Sequence, residues 1–301
     1  MENKKIRLVE VGPRDGFQNV CDFIPTEVKL ETIDLMVKAG VKNIMITSFV
    51  SPKAIPQMQD AAEVAKVCLE KYPDLRLSAL VPNLRGAQNA IAAGLKELTI
   101  VISVSEAHNM ANVRRTPDES FADLAKILEA CPEAEITVDL ATAFGCPFKG
   151  EVSLEEVRGA VRKAYDLGIR NIDLCDTIGL AHPAQVREYV TAVMQEFPEI
   201  TFGVHIHDTR NMGMVNTLAA IECGVPMVQA ALGGLGGCPF APGASGNTAS
   251  EDLIYMLNKM GYDTGIDFDK LMTAAHYAHA HINGNYSGHQ LNVAKPCCEV
   301  C

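Results

Sequence analysis

One unit recurs eight times along the 301 residues: a short β-rich apolar segment, a polar turn, an amphipathic helix, and a Gly or Pro stop. The candidate strands are IRLVEVG (6–12), NIMITSF (43–49), LRLSALV (75–81), LTIVISVS (98–105), EITVDLATAF (135–144), NIDLCD (171–176), TFGVHIHD (201–208) and MVQAALGG (227–234). Helix candidates such as 26–40, 153–168 and 212–224 lie between them. Several open at Thr, Ser or Asn and stop at Gly, as capping favours. Each helix returns the chain to the same end of the sheet, so successive strands must run parallel. Eight repeats in roughly 260 residues match the count and size of an α/β fold of the closed (β/α)8 TIM-barrel type. An open doubly wound sheet is the competing fold. It would usually carry a glycine-rich dinucleotide turn after its first strand, where this chain has GPRDG. Residues 1–264 are expected to form the barrel, and 265–301 a short C-terminal helical extension and tail.

The composition, 48% hydrophobic and 21% charged, supplies a large core. A net charge of −11, spread along the chain, argues against a nucleic-acid surface. No apolar run approaches the roughly 20 residues that span a bilayer, and MENKKIRLVE lacks the apolar core of a secretion signal, so a cytoplasmic protein without membrane contact is expected. Ten scattered cysteines in so long a chain fit a reducing compartment better than a disulfide frame. Cys68, Cys131, Cys175 and Cys223 read as packing residues, and His276, His279 and His281 as a solvated or packing helix face.

In a barrel, chemistry gathers where strands end and βα loops begin. Polar residues fall there: Arg14-Asp15, Thr47-Ser48, Asn83, Ser103 and Ser105, Thr142, Asp176-Thr177 and His205-Ile206-His207-Asp208. His205 and His207, two apart on a strand, share one face at about 7 Å. Strands one, seven and eight adjoin in a closed barrel, so Asp15, His205, His207 and Asn247 can meet as two nitrogens and two oxygens, which suits Mg²⁺ or Mn²⁺ better than tightly held zinc. Arg14 is either a surface ion-pair partner or a stabiliser of oxyanion charge, and Asp176 either a cap or a site residue. The strands contain no lysine, which disfavours an imine route. Cys238 lies in GGLGGCPFAPGASGN, a loop too rich in Gly and Pro for regular structure, where a thiol could be a nucleophile, an acid, a ligand or incidental.

The segments 10-EVGPRDGFQN-19, 46-ITSFVSPKAIPQM-58, 176-DTIGLAHP-183, 204-VHIHDTRNMG-213 and 233-GGLGGCPFAPGASGNTASEDL-253 resemble the 3-hydroxy-3-methylglutaryl-CoA lyases, over residues 5 to about 290. The resemblance implies a metal-dependent, pyruvate carboxyltransferase-like barrel. It implies retro-Claisen cleavage of an acyl-CoA substrate to acetyl-CoA and acetoacetate, and a homodimer. It also implies that Asp15, His205, His207 and Asn247 bind the cation, with Asp15 and His205 also catalytic. Arg14 would steady the enolate, Cys238 would protonate it or guard the site, and Glu251 would support the shell. Arg14, Gln18, Ser48, Asn83, Thr142 and Asp176 would contact substrate. Arg85, Arg114, Arg115 and Lys149 are available for CoA phosphates.

Two departures stand out. Where these lyases usually carry Glu in strand two, this chain has Met45, and where they read V-D-S-S in strand eight it has Val228-Gln229-Ala230-Ala231. A related substrate, such as citramalyl-CoA or a larger 3-hydroxy-3-alkylglutaryl-CoA, is therefore one alternative. A condensing synthase is another, disfavoured because such enzymes usually add a C-terminal regulatory domain. A barrel retained only for binding is a third.

Overall fold

The computed structural model describes residues 5–237 and 246–293. Its strands β1 (Arg7–Glu10), β2 (Asn43–Ser48), β3 (Arg76–Leu80), β4 (Glu97–Ser103), β5 (Glu135–Ala141), β6 (Asn171–Asp176), β7 (Thr201–Ile206) and β8 (Met227–Ala230) pair in chain order. Parallel pairing of β8 with β1 closes the barrel. The fold is the (β/α)8 TIM barrel that the eightfold repeat requires.

Helices α1 (Thr26–Lys38), α2 (Ala61–Lys71), α3 (Leu84–Ala92), α4 (Glu106–Val113), α5 (Pro117–Ala130), α6 (Leu154–Asp166), α7 (Pro183–Glu196) and α8 (Gly213–Glu222) follow the strands. Their limits obey local chemistry. Thr116 and Ser153 open α5 and α6 with reciprocal capping boxes, and Asn83 caps α3 through the Gly86 amide. Thr26 departs from the expected role: Pro25 holds the N-cap position of α1, and the Thr26 hydroxyl donates to Asp60.

Alternation along each strand divides the apolar residues into two sets. Leu8, Ile44, Ala79 and Ile100 join the main core beneath the helices, whereas Val11, Met45, Leu80 and Ala231 form a separate small cluster inside the barrel. Several strands end earlier than their apolar runs suggest. β1 gives way to a π-helical turn at Gly12–Gly16, Thr142 turns the chain after β5 at φ +59°, and β8 passes into a 3-10 turn at Leu232–Gly234.

After β8, α9 (Ser250–Lys259) supplies the barrel's last helix, and α10 (Phe268–His281) follows it and packs on α1 and α9. The chain then returns to the mouth, where the Ser287 and Gly288 amides donate to the Gly233 carbonyl at 3.1 and 3.0 Å. Gly233 has φ +70°, and an added Cβ would come within 2.4 Å of the Tyr286 ring. This position therefore accepts only glycine.

Candidate active site

The π-helical turn after β1 places Arg14 and Asp15 one turn above the strand end, facing β7 and the segment after β8. Both are buried, and their side chains pair at 2.5 Å. His205 and His207 come from β7 and its end, with their Nε2 atoms 3.0 Å apart. Ligand atoms of Asp15, His205 and His207 all lie within 4.8 Å of one another. Asn247 joins them through its amide, which donates to Asp15 Oδ2 at 2.8 Å and to the Leu235 carbonyl at 3.1 Å.

The donor set fits a divalent cation. Among the described residues, the buried Asn247 Oδ1 and His207 Nδ1 have no hydrogen-bond partner. Orphaned buried polar atoms are costly, and a ligand role would explain retaining them. Burial drives the His207 imidazole down to about 3 and also lowers His205, keeping both neutral as metal ligation requires. Burial opposes ionisation of Asp15, but the Arg14 guanidinium and the Asn247 amide outweigh it and hold the carboxyl below its ordinary value.

A cavity of about 520 Å³ opens beside this cluster. Arg14, Asp15, Gln18, Asn83, His205 and His207 line it, along with the apolar Val50, Ala54, Ile55, Leu80 and Val101. Gln18 also approaches Asp15 Oδ1 at 3.4 Å. Other expected contacts are absorbed into the wall. Ser48 is fully buried outside the lining. Thr142 folds back, accepting from the Ser105 amide and donating to the Ala141 carbonyl. Asp176 accepts from the Leu180 and Ala181 amides at 2.8 and 3.0 Å, with its carboxyl raised to about 6 by burial, and it shapes the loop while Thr177 reaches the cavity. Glu251 is buried under the Gly-rich loop and accepts from the Gly233 amide at 2.9 Å. Cys238 lies outside the described residues. Of the basic residues available for phosphates, Arg115 lines the cavity while paired with Asp123, and Lys149 pairs with Glu156.

Beneath the cavity, Met45, Asp139, Asp173 and Gln229 form a group inside the barrel that was not anticipated. Arg14 Nε donates to Met45 Sδ at 3.1 Å, and Arg14 Nη2 lies 4.0 Å from Asp139 Oδ2. Gln229 bridges His205 to Asp139 and Asp173. Cys175, expected to serve only packing, also lines the cavity. Cys68 and Cys131 are buried in the helix layer, and His276, His279 and His281 are exposed. The acid within TVDLA and the first of the two within IDLCD were the available signals for Asp139 and Asp173.

Together, fold and site define a (β/α)8 barrel with a buried cluster at its mouth that could hold a cation. The chain belongs to the HMGL-like family, whose pattern matches residues 5–277, a family of metal-dependent lyases. The mitochondrial hydroxymethylglutaryl-CoA lyase of Mus musculus is 42% identical over 299 residues, covering 99% of this chain and 91% of that protein. The hydroxymethylglutaryl-CoA lyase of Bacillus subtilis is 40% identical over 274 residues, covering 90% and 91% respectively. An HMG-CoA lyase of Acinetobacter baumannii, solved with coenzyme A and 3-methylmalate, superposes with a TM-score of 0.92 at 39% identity, covering 98% of this chain and 97% of that one. No helix among the described residues is long and apolar enough to cross a membrane.

Proposed function

We propose that this chain cleaves 3-hydroxy-3-methylglutaryl-CoA to acetyl-CoA and acetoacetate by retro-Claisen chemistry, using Mg²⁺ or Mn²⁺. The observation that carries this reading is the convergence of Asp15, His205, His207 and Asn247 beside Arg14 at the mouth of the cavity. When bound, the cation would act as a Lewis acid, lowering the pKa of the substrate hydroxyl and polarising the ketone that forms. Asp15, His205, His207 and Asn247 would hold it. The hydroxyl proton passes to the Asp15 carboxylate as C2–C3 breaks. The bonding pair moves onto C2 and the thioester oxygen. Arg14, held at Nη1 by Asp15, offers the guanidinium that meets this enolate. A proton from Cys238 completes acetyl-CoA. The apolar wall of Leu80, Val101 and Ile55 takes the C3 substituent.

The test is acetyl-CoA release with Mg²⁺ or Mn²⁺, and full activity in excess chelator would overturn the proposal. A second reading is favoured by Met45 and the acids beneath it: a related 3-hydroxyacyl-CoA such as citramalyl-CoA or a longer 3-alkyl analogue. A substrate panel compared with Met45→Glu separates the two. A large gain in methylglutaryl cleavage in the variant supports the second.

We further place the enzyme in the cytoplasm, as a homodimer of barrels spanning 1–264 with the 265–301 extension. The scattered Cys21, Cys68, Cys131, Cys146, Cys175 and Cys223 lie unpaired among the described residues, an arrangement that a reducing compartment favours.

A further inference from the structure

Gln229 lies inside the barrel and is only 3% exposed. Its Oε1 is 2.8 Å from His205 Nδ1, and its Nε2 is 2.8 Å from Asp173 Oδ2 and 3.2 Å from Asp139 Oδ1. Strand register builds this group. His205 pairs with Gln229 between β7 and β8, and Asp139 pairs with Asp173 between β5 and β6. Gly203, two residues before His205, makes the room: an added Cβ would come within 1.8 Å of Asp173 Oδ1.

The donors and acceptors permit one arrangement. An amide donates only from nitrogen and accepts only at oxygen, whereas an ionised carboxylate only accepts. Two acids facing one end of Gln229 therefore claim its NH2 group, and its carbonyl must face His205. A carbonyl can be satisfied there only by an Nδ1–H. In a neutral imidazole that leaves the lone pair on Nε2, which faces His207 within the cation cluster. Burial raises Asp173 to about 6 and raises Asp139 further, so the pair retains a proton at neutral pH. The other carboxylate still orients the amide. Asp139 also lies beside Arg14, so the same acid touches the supports of both the cation site and the oxyanion site.

We propose that Gln229, clamped by Asp139 and Asp173, is a positioning residue that holds His205 in the Nδ1-protonated tautomer and so presents Nε2 to the cation. The proposal rests on the cation-site reading but not on which acyl-CoA is cleaved.

The test uses the full chain and two readouts: histidine ¹⁵N shifts in the metal-free protein, with His205 assigned by its loss in His205→Gln, and Mn²⁺ affinity by calorimetry. The wild type should show a single Nδ1–H tautomer for His205. Gln229→Met, and Asp139→Asn combined with Asp173→Asn, should each give mixed tautomers and weaken Mn²⁺ binding about 10- to 100-fold, the usual cost of losing an outer partner of a ligand. Asp173→Asn alone leaves one carboxylate and should keep the tautomer. It also keeps the test informative if the double variant does not fold. An unchanged tautomer and affinity in Gln229→Met would overturn the relay. A wild type that binds no Mn²⁺ would instead overturn the cation site itself.

Discussion

On the β7, β8 and β1 side of the mouth, Asp15, His205, His207 and Asn247 bring buried polar atoms together. On the β2, β3 and β4 side the corresponding layer is Met45, Leu80 and Val101. Both sides arise from the same strand–loop–helix unit, but the π-helical turn after β1 and the segment after β8 carry polar side chains to one wall, while β2, β3 and β4 present apolar ones to the other. A substrate bound between them would have its oxygens drawn to one wall and its alkyl group to the other. Such a division orients a small tertiary alcohol without a contact to every atom.

The largest effect should come from removing a ligand on the polar side. Asp15→Asn should abolish turnover and weaken Mn²⁺ binding by more than the roughly 100-fold cost of losing an outer partner, measured by calorimetry and acetyl-CoA release. Next, Arg14→Gln should lower kcat about 100- to 1000-fold, the range for losing an oxyanion donor, with a far smaller change in cation affinity. Equal losses in both would mean that Arg14 serves Asp15 and not the enolate.

On the apolar side the response should be one of preference. Leu80→Ala should shift relative kcat/KM toward larger 3-alkyl substrates by about tenfold, and cost about 2 kcal/mol of stability by denaturant titration. Indifference to substituent size would place the alkyl group elsewhere.

The smallest effect concerns the support beneath both walls. Burial raises Glu251 from 4.5 to about 8. Across that window the folded chain keeps a proton that the unfolded chain has lost, so stability falls as pH rises from about 4.5 to about 8 and levels above it. Glu251→Gln should make Tm less dependent on pH in this window. Glu10, raised by burial to about 7, should leave part of the decline in place.

The barrel was legible because an eightfold alternation permits few other folds. The histidine pair was legible because same-face spacing on a strand is a property of one segment. The grouping of Asp139, Asp173 and Gln229 was not, since each lies on a different strand and nothing within its own segment points to the others. Only register between strands brings them to His205, and no single segment encodes it. Ser48 occupies the same place in the repeat as the ligands. A β-bulge between Met45 and Thr47 sets it opposite Leu80, an irregularity that period two does not anticipate. Thr142 is diverted by its own backbone, whose positive φ turns the chain away after β5.

The contact of Ser287 and Gly288 with Gly233 bears on the order in which the molecule is made. A ribosome releases Asp15 early, yet its amide partner Asn247 lies 232 positions later, and the residues that secure the foot of the loop emerge later still. Competence thus waits until residues as far as Gly288 have emerged, and a nascent barrel can meet metal or thioester without yet being an enzyme.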